Sequence, residues 1–302
     1  MGLVASSVVQ LFNCPQDRNF RGRTSKLGPE ISSEKMEAPP APDARDWSAL
    51  NVDALSLIFT KLGAIEVLMG AGLVCHSWLD TAKLPDMWRS VDMSNHNVVE
   101  TMPDSVLHCM AKVAVDRSCG QLEAFAGKRF VNANLLKYIG DRAPSLKRLR
   151  LISCKINNVG FMDAIKKFPL LEDLELSLCP YVFGKDSFET IGMSCTHLTC
   201  FKWCMDGVHR FKGNYNYMNM EAMGITTMTK LCSLQIFGSR LNNCGLAAIL
   251  DNCPNLESLD IRYCFNVKED GALHEKCAGI RSLRLPRDSI NDYEFKDNLP
   301  TW

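Results

Sequence analysis

No net charge is left over in this chain: 34 Lys and Arg oppose 34 Asp and Glu across 302 residues. A protein that coats a polyanion usually carries a basic excess, so a nucleic-acid partner is not expected. Long apolar runs are missing as well. No stretch approaches the ~18 residues needed to cross a bilayer, which leaves no expected membrane span. The opening, mildly apolar from Met1 to Phe12, lacks the basic flank of a secretory signal. Cysteine, by contrast, is plentiful, with 14 residues. In a chain with no secretory leader these are expected to be reduced, buried small hydrophobes rather than disulfides, in the cytoplasm and/or nucleus. Hydrophobic residues at 46% and charged residues at 23% describe an ordinary globular protein with room for one large domain or two small ones.

Texture divides the chain into zones. Residues 1–43 have no sustained periodicity. Arg18, Arg21, Arg23 and Lys26 form a short basic patch, and Ala38-Pro-Pro-Ala-Pro-Asp43 resists helix. This zone is expected to be a disordered leader and linker, although Gly2 and Ser6 match the short pattern for N-myristoylation. In residues 44–93, Leu55, Ile58, Phe59 and Leu62 fall at i, i+3, i+4 and i+7 on one helical face, and Gly63 follows as a stop. Two or three short helices here make a thin core that should lean on a neighbour or a partner. Residues 94–118 read as a connecting helical segment, and 290–302 as a C-terminal tail.

Between them, residues 119–289 repeat. Leu146-x-x-Leu149-x-Leu151 aligns with units led by Leu171, Leu198, Leu231, Leu256 and Ile280, and a partial unit begins at Leu122. All 18 apolar slots of the six full units are filled, an outcome of about 10⁻⁶ by chance at this composition. The leading residues are 24, 25, 27, 33, 25 and 24 apart, intervals that fit leucine-rich repeats. The expected fold is α/β. A strand alternating inward and outward supplies a parallel inner sheet, and a helix from each unit supplies the outer wall. Units of this kind must stack to bury their faces. Seven strands would give a concave wall about 29 Å long, suited to a segment of another protein.

Seven cysteines occupy two recurring slots: Cys154, Cys179 and Cys264 eight residues after a leading Leu, and Cys119, Cys195, Cys253 and Cys277 three before one. A slot that recurs in each unit is a packing rule, whereas a metal or catalytic site needs one location. Cys195, His197, Cys200, Cys204 and His209 are crowded enough to suggest zinc, but they contain no Cys-x-x-Cys pair. No third orienting group recurs beside a Cys/His pair either. Neither metal, cofactor nor catalytic residue is expected.

At this point the residues carry a resemblance. Trp47-Ser-Ala-Leu50, the Leu55/Ile58/Phe59/Leu62 helix, Gly72-Leu-Val-Cys-His-Ser-Trp78 and Trp88 resemble an F-box. The later zone is similar to cysteine-containing leucine-rich repeats, best shown by Cys253-Pro-Asn-Leu256 through Val267. Together, residues 46 to 289 resemble plant F-box/LRR-repeat proteins. Asn51 stands where that family commonly has Pro, and His76 where Arg is frequent. The resemblance implies a small helical F-box followed by a solenoid, acting as the non-catalytic substrate receptor of an SCF-type cullin-RING ubiquitin ligase. The F-box would dock on a Skp-type adaptor, and through it on cullin. The alternative is a non-degradative binding scaffold whose F-box engages no adaptor, a reading that Asn51 keeps open.

Leu50, Leu55, Ile58, Phe59, Leu68, Val74 and Trp78 are the adaptor-contact candidates, though some must instead build the unit's own core. On the repeats, the outward positions Arg150, Glu175, Lys202, Gln235, Asp260 and Arg284, with Arg148 and Asp173 beside them, form a mixed-sign wall. Such a wall favours a protein or peptide target over a polyanion. The long fourth unit adds Tyr215 and Tyr217 as further target-contact candidates, in a loop rich in aromatics and Met.

Overall fold

A computed structural model of the chain describes residues 46–205 and 219–298. The leader with Gly2 and Ser6, His209, and the target-contact candidates Tyr215 and Tyr217 lie outside the described residues.

The N-terminal unit is helical. Asn51 caps α1 (Val52–Leu62), its side-chain oxygen accepting from the amides of Asp53 at 2.7 Å and Ala54 at 3.1 Å. Asn therefore supplies a capping bond at a position where Pro would supply only a fixed backbone. Gly63, at φ 83°, turns the chain directly into α2 (Ala64–Met69), and α3 (His76–Thr81) follows. Leu55, Phe59, Ile65, Val67, Leu68 and Trp88 fill the unit's core, which is continuous with that of the repeats. The thin core does lean on its neighbour.

Eight parallel strands then run in strict sequence order: β1 (Ser90–Met93), β2 (Ala124–Lys128), β3 (Arg148–Ile152), β4 (Asp173–Ser177), β5 (Cys200–Cys204), β6 (Ser233–Phe237), β7 (Ser258–Asp260) and β8 (Ser282–Arg284). The sheet has one strand more than the repeat spacing suggests. β1 lies within the stretch read as the end of the helical unit, and its Ser-Val-Asp-Met sequence lacks the leucine pattern. Its burial still alternates, and Val91 and Met93 pair in register with Phe125 and Gly127. The segment 94–118 is correspondingly no connector: its helix α4 (Asp104–Arg117) buries Leu107, Met110, Ala111, Ala114 and Val115 as the outer half of the first repeat.

The remaining outer helices are α5 (Ala133–Arg142), α6 (Asn158–Ile165), α7 (Lys185–Ser194), α8 (Met220–Ile225), α9 (Asn243–Asn252) and α10 (Gly271–Lys276). Four of them start the same way. Asn132, Asn157, Asn242 and Asp270 each accept a hydrogen bond from an amide in the first turn, satisfying a donor the helix cannot use itself.

In-register pairing stacks Leu149, Leu174, Phe201, Leu234, Leu259 and Leu283 in one inward row. The outward row beside it runs Arg150, Glu175, Lys202, Gln235, Asp260 and Arg284. A third row, outward again, contains Ser177, Cys204 and Phe237.

Past each of five strands the chain enters the left-handed region seven residues after the leading position: Arg129, Ser153, Leu178, Gly238 and Tyr263 have φ of 52° to 69°. That turn throws the next residue back inward. In three units it is a buried cysteine, Cys154, Cys179 or Cys264, whose thiol donates to a carbonyl of the preceding strand. The Cys264 thiol, for instance, reaches Ile236 O at 3.2 Å. All 13 cysteines among the described residues are free. The expectation of burial fails for three of them, since Cys119, Cys232 and Cys244 are exposed.

Candidate binding surfaces

The helical unit is the more apolar surface. Eight of the fourteen exposed large hydrophobic side chains among the described residues lie between Trp47 and Leu84. Leu57 is 67% exposed, Val74 61% and Trp47 56%, while Val52, Ile58, Leu62, Leu73 and Leu84 complete the set. Ile58 and Leu62 are one turn apart on α1, on the same face.

Of the seven adaptor-contact candidates, Ile58 and Val74 are exposed, and Leu50 and Trp78 are half-buried. Leu55, Phe59 and Leu68 are corrected: all three are essentially inaccessible and hold the unit up from inside. A helix of this length must turn one apolar stripe inward, and α1 turns in the face carrying Leu55 and Phe59. The exposed Leu57, Leu73 and Trp47 were missed because they lie off the periodic stripe.

Trp78 plays a joint role. Its indole N–H donates to Trp47 O at 2.9 Å, and its ring meets Phe59 edge-on at 5.6 Å. With the Ser77 hydroxyl bonded to Ser48 O, it pins the Trp47–Ala49 turn against α3. His76 is exposed at the start of that helix.

On the concave wall the outward row stands where the alternation put it, but its charges are not free. Arg150 Nε lies 3.1 Å from Glu175 Oε2, without the alignment of a hydrogen bond. Lys202 Nζ is 3.9 Å from that same carboxylate oxygen, and Gln235 donates to Asp260 at 3.2 Å. Arg148 is exposed and Asp173 half-buried at the edge of the row.

The chain after β8 accounts for much of the remainder. Instead of leaving as a tail, residues 285–298 fold back over the wall. Tyr293 stacks on Phe237 with ring centroids 3.8 Å apart and planes 5° from parallel, in a small second core with Cys204. Arg262 is the hub. It is 4% exposed, binds both oxygens of Asp260, and donates through Nη1 to Ser289 O at 2.7 Å and Asp292 Oδ1 at 2.6 Å. That bond holds the Asp292 carboxyl below the usual carboxylate range. Arg150 reaches Glu294 at 2.5 Å, and Arg284 comes within 3.6 Å of Asp292.

Arg262 is not among the target-contact candidates, although it sits two residues past the outward Asp260, where extending the strand alternation would have marked it. The docking of Tyr293 had only a weak signal, the pair Tyr293 and Phe295 within a mostly polar stretch.

Of the crowded group, the thiols of Cys195, Cys200 and Cys204 are among the described residues. Burial pushes Cys195 and Cys204 up to about 12, and Cys200 to about 11. No group of three or more metal-ligating side chains is found among the described residues. Likewise, no single helix among them is long and apolar enough to cross a membrane.

A helical unit with an apolar exterior, continuous with a parallel α/β solenoid, defines an F-box joined to leucine-rich repeats. The chain belongs to the plant F-box/LRR-repeat family. It is 40% identical over 267 residues to the F-box protein SKIP19 of Arabidopsis thaliana, covering 87% of this chain and 85% of that protein. It is 35% identical over 283 residues to F-box/LRR-repeat protein 22 of the same plant, covering 91% and 89%. No family model matches the sequence. Among solved structures it is similar to one chain of the yeast Rad7 and Elc1 complex, with a TM-score of 0.45, 14% identity, and coverage of 76% of this chain and 58% of that one.

Proposed function

We propose that this protein is the substrate-recognition subunit of an SCF-type cullin-RING ubiquitin ligase. The observation that carries the reading is the concentration of exposed apolar side chains on the F-box, on a chain of a family named for that module. Leu57, Ile58, Val74 and their neighbours face solvent together, whereas the six other exposed large hydrophobic side chains among the described residues are spread over the repeats from Val159 to Phe265. Covering a side chain of this size is worth about 1.5–3 kcal/mol when complete, enough for a few of them to anchor a Skp-type adaptor. The repeats hold the protein target on their mixed-sign wall. Making no bond itself, the chain acts by proximity, turning a bimolecular encounter between target lysine and loaded conjugating enzyme into a local one.

Asn51 supports this reading over that of a scaffold without an adaptor, because its side chain caps α1 and leaves the apolar exterior in place. The test is a pull-down of the full chain with a recombinant Skp-type adaptor. Leu57→Asp combined with Val74→Asp is expected to weaken binding at least about tenfold while moving the melting temperature little, since exposed sites tolerate substitution. An intact, folded chain that does not bind the adaptor, with the double variant indistinguishable from it, sinks the proposal.

A further inference from the structure

The folded-back segment places a short motif, Asp292-Tyr293-Glu294, across the outward rows of several strands. Its ring lies on Phe237 of β6, and its two carboxylates meet Arg262 and Arg150, the latter on β3. We propose that this wall selects extended target segments in which an aromatic ring is flanked by carboxylates, and that residues 288–298 occupy the same seat as an internal competitor. The inference rests on the repeats being the target-holding half of a receptor.

Three features argue that the seat is built for more than its present occupant. Arg262 is oriented by the wall itself, since Asp260 holds Nε and Nη2 and leaves Nη1 aimed at the incoming carboxylate. A planar guanidinium fixed this way stays in place when the segment leaves, and recognises a second carboxylate with little reorganisation.

The fit of the segment is also incomplete. The Tyr293 hydroxyl is buried beside the Cys204 thiol without a hydrogen bond of normal geometry. Asp292 and Glu294 remain more than half exposed, so water competes for both ion pairs. Finally, a cavity of about 250 Å³ lies between segment and wall, bounded by Glu175, Lys202, Gln235, Asp260 and Phe295. A bulkier ligand could enter there without moving a strand.

The test uses the full chain and a fluorescent peptide copying residues 288–298. In the variant Asp292→Ala, Tyr293→Ala, Glu294→Ala the seat is vacated, and peptide binding should be at least about tenfold tighter than to the unsubstituted chain, where the tethered copy competes at high effective concentration. Adding Phe237→Ala should abolish the gain. A peptide with Phe in place of Tyr should bind no more weakly, because the hydroxyl makes no hydrogen bond of normal geometry.

A folded triple variant that does not bind the peptide overturns the proposal. If that variant does not fold, amide exchange in the unsubstituted chain decides. A Tyr293 amide exchanging at least about tenfold faster than those of Leu174 and Leu176 supports a displaceable segment, and equal protection makes it a permanent cap and overturns the idea. Adaptor pull-down of the same proteins reads the F-box separately, so loss of this proposal leaves the ligase assignment standing, and the reverse.

Discussion

At the scale of single residues, the recurring cysteine and the left-handed residue before it are two halves of one device. The positive φ costs a non-glycine residue roughly 1–2 kcal/mol, and the thiol thus turned inward fills the repeat interface and donates across it. In the unit led by Leu231, Gly238 and Ser239 fill the two positions, and Ser239 Oγ lies 3.4 Å from Cys264 Sγ. Gly238→Val should therefore destabilise, by about 1–2 kcal/mol in chemical denaturation.

Buried thiols also set an alkaline limit. Cys195 and Cys204 are pushed up to about 12 and Cys264 to about 11 from an ordinary 9.0, by burial in each case. Between pH 9 and 11 the unfolded chain releases these protons while the folded one keeps them. Stability is thus intact below pH 9 and falls above it, by on the order of 1 kcal/mol per thiol per pH unit. Melting temperatures that stay level from pH 8 to 10.5 would contradict this. Alkylation at pH 8 should label Cys232 and Cys244 long before Cys264, as followed by mass spectrometry.

At the scale of elements, side chains and glycines set how repeats stack. Asn158 clips the main chain of Phe183 through two hydrogen bonds, and Asn243 clips Lys268 in the same way three repeats further on. Between α7 and α8 the approach is closer. A methyl group on Gly224 would lie 2.6 Å from Phe188 Cβ and 2.7 Å from the Lys185 carbonyl. Gly224→Ala should thus cost about 1–3 kcal/mol despite its better helix propensity, and a rise in melting temperature would refute the packing argument. Asn51→Ala, removing the α1 cap, should cost about 1 kcal/mol, with Asn51→Ser close to neutral by the same measurement.

At the scale of the whole molecule, a solenoid is held together by nearest-neighbour interfaces, so its ends are its weak points. The F-box core seals one end. At the other, the folded-back segment ties the last repeats to the third strand through Arg150 and Glu294, 144 residues apart. Arg262→Ala cuts the hub of this clasp, and should raise amide exchange in β7, β8 and residues 285–298 while leaving β2 to β4 protected. Uniform loosening of all repeats would argue that the segment is not a local clasp. Acid should act in the same direction. Arg262 holds the Asp292 carboxyl low, so its contribution persists above the usual carboxylate range and disappears only as the pH falls below it.

The leucine triplets alone determined the inner sheet, its parallel order and the identity of its outward row, because a repeated two-residue alternation leaves each side chain one choice of face. They could not reveal β1, whose apolar residues follow no repeat. Nor could periodicity separate the F-box residues that form the core from those that remain outside. Leu57 and Leu55 are the same amino acid, and only the packing of α1 against Ile65, Leu68 and Trp88 distinguished them. The fate of the C-terminal segment was likewise tertiary. Arg262, Phe237 and Tyr293 are far apart along the chain, and they meet because the stacked repeats bring one cation and one ring to a wall that a single strand cannot build.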